Sequence, residues 1–186
     1  GLKEASETIS GKSIYEDEKT QKFASEIIKH ISEFLPKSVK SERRLLPSAL
    51  PCAEASERLA KQDIERFGVA KVRFQGTREK PHYTSYSKIS LQKWETQSRI
   101  LAIEKELYNQ LTGGNLTVLD LGEAEYTPET LLSFTKKLAE DYKLRFFTYN
   151  RQLTHCNQCH KSWLGTLQKC PICGSVSTLT AFTSFQ

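Results

Sequence analysis

The segment NLTVLDLGEAEYTPETLLSFTKKLAEDYKLRFFTY (115–149) reads as strand, helix, strand. NLTVLDLG (115–122) is a short apolar run of the kind that forms a buried strand. Thr127-Pro128 supplies a helix cap followed by proline at the first helical position, where its missing N–H has no intrahelical partner to lose. A helix over 128–142 follows, with Leu131, Phe134, Leu138 and Tyr142 at helical spacing, and LRFFTY (144–149) is the next strand. Strands separated by helices predict α/β architecture with crossover connections.

Upstream, the same alternation continues. A helix over 90–111 carries Leu91, Trp94, Ser98, Leu101, Leu107, Tyr108 and Leu111 on one stripe, with Ser90 as its N-cap and Gly113-Gly114 at its end. VAKVRF (69–74) alternates Ala70, Val72 and Phe74 with Lys71 and Arg73, the pattern of a strand with one wet face. QGTREKPHYTSYSK (75–88) reads as loop. Further upstream, a helix over 53–67 turns Ala55, Leu59 and Phe67 inward and is capped by Gly68. KSVKSERRLLPSALP (37–51) has no period and reads as loop. A helix over 15–35 presents Phe23, Ile27, Ile28, Ile31, Phe34 and Leu35 and is stopped by Pro36, and Gly11 ends a short helix over 1–10. The expected division is an α/β region over 1–150, holding a partial, barrel-like sheet, and a separate tail over 151–186.

That tail carries the chemistry. HCNQCHKSWLGTLQKCPICGS (155–175) is Cys-x2-Cys, ten residues, Cys-x2-Cys. Each Cys-x2-Cys turn presents two sulfurs to one ion, and four thiolates complete the tetrahedron that zinc prefers, with no position left for a catalytic water. Cys156, Cys159, Cys170 and Cys173 are therefore the expected ligands of a structural zinc ribbon. KSWLGTLQ (161–168) is long enough for a hairpin that returns the second turn to the first. A dithiol redox pair would explain only one of the two turns. His155 and His160 flank the first pair as substitute ligands or exposed neighbours. Cys52, after Pro51, is a lone thiol, reactive or merely a loop residue.

The chain has 186 residues, 38% hydrophobic and 26% charged, with no methionine. Mean hydropathy is −0.52, and no apolar stretch approaches the length of a spanning helix. GLKEASETIS (1–10) lacks the basic-then-apolar layout of a signal peptide, and an odd cysteine count argues against a disulfide framework, so a cytoplasmic protein is expected. Net charge is +5 but uneven: residues 36–99 carry 14 basic and 7 acidic side chains, and residues 144–186 carry 4 basic and none acidic. These blocks, 36–99 and 144–186, offer a polyanion such as RNA a surface, or are two solvated faces. His82, Tyr83, Tyr86 and Trp94 with Lys80 and Lys88 could stack bases or line the core. Glu123 and Glu125 stand where α/β proteins place site residues, and equally where they favour a helix dipole.

Taken in order, these pieces resemble a family. RFFTYNRQLTHCNQCHKSWLGTLQKCPICGS (145–175) resembles the zinc-binding tail of anaerobic (class III) ribonucleoside-triphosphate reductases. GGNLTVLDLGEAEYTPETLLSF (113–134) is similar to the strand and helix before that tail. EASERLAKQDIERFG (54–68) resembles the family's Glu-x-x-x-Arg-Leu-Ala helix. HYTSYSKI (82–89) is similar to its Tyr-Thr-x-Ser stretch, with Tyr86 in the serine place. GLKEASETISGK (1–12) resembles its Gly-Leu-Asn-Glu opening, with Lys3 for asparagine. The resemblance covers the whole chain but only about the last third of the enzyme.

It implies part of a glycyl-radical enzyme that reduces ribonucleotides to deoxyribonucleotides without oxygen. The family's thiyl-radical cysteine lies upstream of the matched region. Its radical glycine, in Arg-x-x-Gly-Tyr, would fall past Gln186, with Ser184 near the arginine place. No residue here is assigned a catalytic or cofactor-binding role, and a protein partner or self-association is expected. The alternative is a non-catalytic zinc-ribbon protein that binds RNA, the ribosome or another protein through its basic surface.

Overall fold

The computed structural model describes residues 1–38, 45–122 and 124–183. The chain forms two compact units: Gly1–Ser87 with Arg99–Leu116, and Lys88–Ser98 with Thr117–Gln186.

In the first unit, helix α1 (Leu2–Ser10) ends at Gly11, whose N–H donates to the Glu7 carbonyl at 3.0 Å. Helix α2 (Glu18–Ser38) runs through Pro36 rather than stopping there. So near the end, proline forfeits a single ladder bond, and the Ser38 hydroxyl donates to the Leu35 carbonyl at 2.9 Å. Of the loop expected over 37–51, Lys37 and Ser38 belong to α2 and residues 39–44 lie outside the described residues. Pro47 and Ala49 are held by backbone bonds to 113–116: Ala49 N–H to Gly114, Leu116 N–H to Ala49 and Gly113 N–H to Pro47. Ile14, Ala24, Ile28, Ala49, Leu107 and Tyr108 form the core of this unit.

Helix α3 (Ala53–Phe67) matches its expected bounds, but its buried face does not. Ser56 and Ala60 are buried, whereas Leu59 and Phe67 are 46% and 50% exposed. The small side chains let the chain at 81–84 lie close to the helix. Tyr83 N–H reaches the Ser56 carbonyl at 3.4 Å, and its hydroxyl donates to Asp63 at 2.7 Å.

The strand expected over 69–74 does not form. Lys71 N–H closes a turn onto Gly68, bending the chain away from extension, and alternation alone supplies no partner for its backbone. The expected loop over 75–88 instead holds a small antiparallel hairpin, β1 (Gln75–Gly76) with β2 (Pro81–His82), and the start of β3 (Ser87–Ser90).

β3 takes the place of the misplaced strand. It leads through one 3₁₀ turn (Leu91–Lys93) into α4 (Trp94–Tyr108), and Ser90 is the last strand residue rather than a side-chain cap. Leu91, Leu101, Leu107 and Tyr108 are buried as their spacing predicts, and Glu104 is buried in the same stripe. Glu104 accepts from the Tyr15 hydroxyl at 2.6 Å and from the Ser87 hydroxyl. Burial raises its pKa against the opposing pull of those two bonds.

In the second unit, β4 (Thr117–Asp120) and β5 (Phe147–Asn150) are parallel, paired from Thr117↔Phe147 to Asp120↔Asn150, in a sheet of order β3-β4-β5. Val118 and Leu119 are buried in β4. Helix α5 (Pro128–Glu140) makes the crossover, capped by Thr127, whose Oγ1 accepts from Thr130 N–H at 3.2 Å. The expected α/β crossover architecture is present. Trp94 is enclosed by Phe134 and Tyr142, edge-on at 4.7 and 5.5 Å between centroids. Among the described residues, no helix is long and apolar enough to cross a membrane.

The tail is an antiparallel sheet of order β7-β6-β8, from β6 (Gln152–Cys156), β7 (Lys161–Leu164) and β8 (Leu179–Thr183). The hairpin expected between the cysteine pairs sits one element earlier: β6 and β7 fold around the first pair. The register Cys156↔Lys161 leaves residues 157–160 as the turn.

Candidate metal centre

Two turns of like construction build the site. In the first, Cys156-Asn157-Gln158-Cys159-His160, the His160 N–H donates to the Cys156 carbonyl at 2.8 Å. In the second, Cys170-Pro171-Ile172-Cys173-Gly174, the Gly174 N–H donates to the Cys170 carbonyl at 3.0 Å. The residue after each pair is left-handed, at φ 57° for His160 and 71° for Gly174. Glycine adopts that conformation freely, and histidine does so at a cost. The first turn is tied to the residue before β8: Asn157 N–H and its side-chain amide both donate to the Thr178 carbonyl, at 3.0 and 3.1 Å.

This local geometry brings Cys156, Cys159, Cys170 and Cys173 together, all four sulfurs within 4.8 Å of one another. Cys156 and Cys173 are 3.5 Å apart across the two turns, and Cys159 and Cys170 are 3.6 Å apart. A tetrahedral ion with 2.3 Å bonds to sulfur places its ligands about 3.8 Å apart, so the cluster has the size and donor set of a four-thiolate metal site.

Electrostatics prepares one sulfur of each turn. The Thr178 hydroxyl, 3.5 Å away, and the Cys159 and Gln158 N–H groups hold Cys156 down to about 6. Burial opposes ionisation at Cys170, but the Cys173 and Ile172 N–H groups outweigh it and lower this thiol too. Burial and the neighbouring sulfurs push Cys159 up to about 12. The low member of one turn thus lies beside the high member of the other, and a cation can replace the two shared protons.

The tail buries little besides this cluster. Between Gln152 and Thr183, the only buried residues are Thr154, Cys156 and Cys170, so no aliphatic side chain is buried there. Thr154 is the polar counterpart, its hydroxyl donating to Gly165 O at 2.6 Å and accepting from Leu167 N–H at 3.0 Å. Thr154 and Thr178 were not singled out by the sequence, where a threonine beside a metal turn looks like any strand threonine.

The other candidates fall elsewhere. His155 and His160 are not part of the four-cysteine cluster; His155 Nδ1 pairs with Ser162 Oγ at 2.9 Å. Cys52 is exposed, Glu125 is exposed, and Glu123 lies outside the described residues. Trp94 and Tyr83 are engaged as described above, the one by aromatic packing and the other by Asp63. Two stretches that carried the resemblance do meet: Glu4 Oε1 accepts from the Thr84 N–H at 3.1 Å and hydroxyl at 2.6 Å. Lys3 places its ammonium 5.0 Å over the Tyr15 ring.

The model of the anaerobic ribonucleoside-triphosphate reductase family matches residues 1–184. Among curated proteins, none matches. Among solved structures, an anaerobic ribonucleotide reductase is 21% identical with a TM-score of 0.60, over 86% of this chain and 23% of that one. The Thermotoga maritima anaerobic ribonucleotide reductase with MES in its active site is 21% identical with a TM-score of 0.64, over 86% of this chain and 25% of that one. The same enzyme in complex with dATP and CTP is 18% identical with a TM-score of 0.59, over 88% and 27%. The chain therefore shares a fold with about a quarter of each structure's length.

Proposed function

Because this chain belongs to the anaerobic ribonucleoside-triphosphate reductase family, we propose that it is the zinc-holding C-terminal part of such a reductase. The observation that carries this reading is the four-sulfur cluster in a chain whose family match spans 1–184. Cys156, Cys159, Cys170 and Cys173 would hold the zinc, which supplies cross-linking and no reaction chemistry, since four thiolates leave no open position. A tail without an aliphatic core gains its stability from that cross-link, worth roughly 10–16 kcal/mol apparent in such sites.

These 186 residues contain no assignable radical glycine or thiyl cysteine, so reduction of ribonucleotides requires the rest of the reductase. The expected setting is cytoplasmic, with a protein partner.

Two measurements test this. Elemental analysis should find one zinc per chain, and Cys170→Ser should lose it and unravel the tail while leaving the helical signal of residues 2–140 largely intact. Less than half an equivalent, with all four thiols free, refutes the zinc assignment. A glycyl radical formed on this polypeptide alone after treatment with a radical-SAM activase refutes the assignment of its chemistry to the whole enzyme.

A further inference from the structure

The two cysteine turns differ at the residue that closes them. Gly174 closes the second in left-handed backbone at φ 71°, and His160 closes the first at φ 57°. Both donate the same N–H, to the carbonyl of the first cysteine of the turn. Backbone geometry favours glycine at both places, and a histidine at one of them is kept there against strain. Strain tolerated at a single residue points to a role for its side chain. The four sulfurs do not supply that role, since they converge without the imidazole. What the His160 ring does meet is a second imidazole: the His155 and His160 centroids lie 6.3 Å apart, with the rings inclined at 42°. His155 Nδ1 pairs with Ser162 Oγ at 2.9 Å, along the register His155↔Ser162 of β6 and β7. That bond orients the ring and leaves Nε2 for a ligand.

We propose that His155 and His160 form a second, exchangeable metal site, separate from the four-sulfur cluster, for a divalent ion that favours imidazole, such as Ni²⁺, Cu²⁺ or Zn²⁺. The assignment goes beyond the reductase reading and stands without it. Imidazole nitrogens bind such ions at about 2.0–2.1 Å, so two rings share one ion with centroids up to about 6.5 Å apart, and a tetrahedral angle needs about 5.3 Å. The observed separation lies inside that reach. Rotation of the exposed His160 side chain supplies the remaining approach of about 1 Å. A histidine that binds a metal has its other nitrogen held by a polar group, and Ser162 does this for His155. Charge favours a cation here as well. Residues 144–186 carry no acidic side chain, so four thiolates around a divalent ion would form the one anionic centre of the tail, within a residue of each histidine in sequence. Lys161, beside His160, opposes the second ion, but it is exposed and its ammonium can swing away. With only two protein ligands and water in the remaining positions, the ion leaves on dialysis, so one zinc per chain is still expected on elemental analysis.

Ni²⁺ is the probe, added to the dialysed, zinc-loaded chain. Calorimetry should find one further equivalent bound, and the paramagnetic ion should selectively broaden the ring-proton signals of His155 and His160. No sulfur-to-nickel charge-transfer band should appear. His155→Ala and His160→Gly should each weaken this binding at least about tenfold while one zinc is retained, glycine being the residue that the turn accepts without strain. Ser162→Ala should weaken it about tenfold, the usual loss when a group that orients a ligating histidine is removed. His30→Ala, on α2, should change nothing. Absence of a second equivalent, or one that survives both histidine substitutions, overturns the proposal. A charge-transfer band does so too, because it places the nickel on the thiolates. Zinc content is measured before nickel is added, so failure of the zinc assignment and failure of the histidine site are read separately.

Discussion

Replacing Gly174 by alanine and His160 by glycine should move metal affinity in opposite directions. Both positions close a Cys-x2-Cys turn with left-handed backbone, at φ 71° and 57°. Each donates its N–H to the carbonyl of the first cysteine, at 3.0 and 2.8 Å. A side chain at Gly174 meets no obstacle beyond ordinary contact with Lys169 Cε at 3.6 Å, so the change isolates backbone strain. An L-residue in this conformation costs about 1–2 kcal/mol, partly offset by about 0.4–1 kcal/mol of lost unfolded-state entropy. The net for Gly174→Ala is about 1 kcal/mol, or about fivefold weaker binding in a tail whose folding is coupled to the ion. His160→Gly reverses the sign, tightening binding about two- to fivefold. The assay is competition for zinc against a chromophoric chelator at fixed pH, with helicity monitored to confirm that the rest of the chain is folded. Equal weakening by both variants would refute the strain argument. Weakening of His160→Gly by tenfold or more would show that the imidazole itself holds the metal or supports a ligand.

Three further outcomes follow from the geometry. Metal uptake by zinc-free protein should weaken more steeply once pH falls below about 6, because the depressed Cys156 thiol is then protonated as well and the ion must displace that further proton; a pH series of zinc titrations measures the change of slope. Glu104→Gln should raise the melting temperature at neutral pH. Burial raises the Glu104 pKa in the folded state, so its favourable contribution is complete only below the unfolded value of 4.5 and is lost as pH rises, and the gap to wild type should close on acidification toward that value. In sedimentation across a salt series, association through exposed apolar side chains should change little between about 50 and 200 mM salt, whereas binding to RNA would weaken steeply over that range. A monomer at every salt concentration, free of nucleic acid, would contradict both modes of association for the isolated chain.

Much of this protein is readable from local sequence. The crossover helix was legible because Thr127-Pro128 specifies its start by cap chemistry, which needs no distant partner. The convergence of the four cysteines was legible for a related reason: Cys-x2-Cys is a turn whose own hydrogen bonds aim two sulfurs, so spacing predicts that they meet. The errors share one cause. VAKVRF has the alternation of a strand, but a strand exists only where a neighbour accepts its backbone bonds, and the tertiary arrangement gave that place to Ser87–Ser90. Leu59 and Phe67 have the periodicity of core residues, but Ser56 and Ala60 are what the chain at 81–84 packs against. Glu104 carries no local sign of its role beyond a position in an apolar stripe. Only the folded chain brings the Tyr15 and Ser87 hydroxyls to it, from 89 and 17 residues away. Periodicity determines which face of an element is apolar, because side-chain direction follows from backbone geometry alone. What covers that face depends on contacts far apart in sequence, and these only the tertiary structure decides.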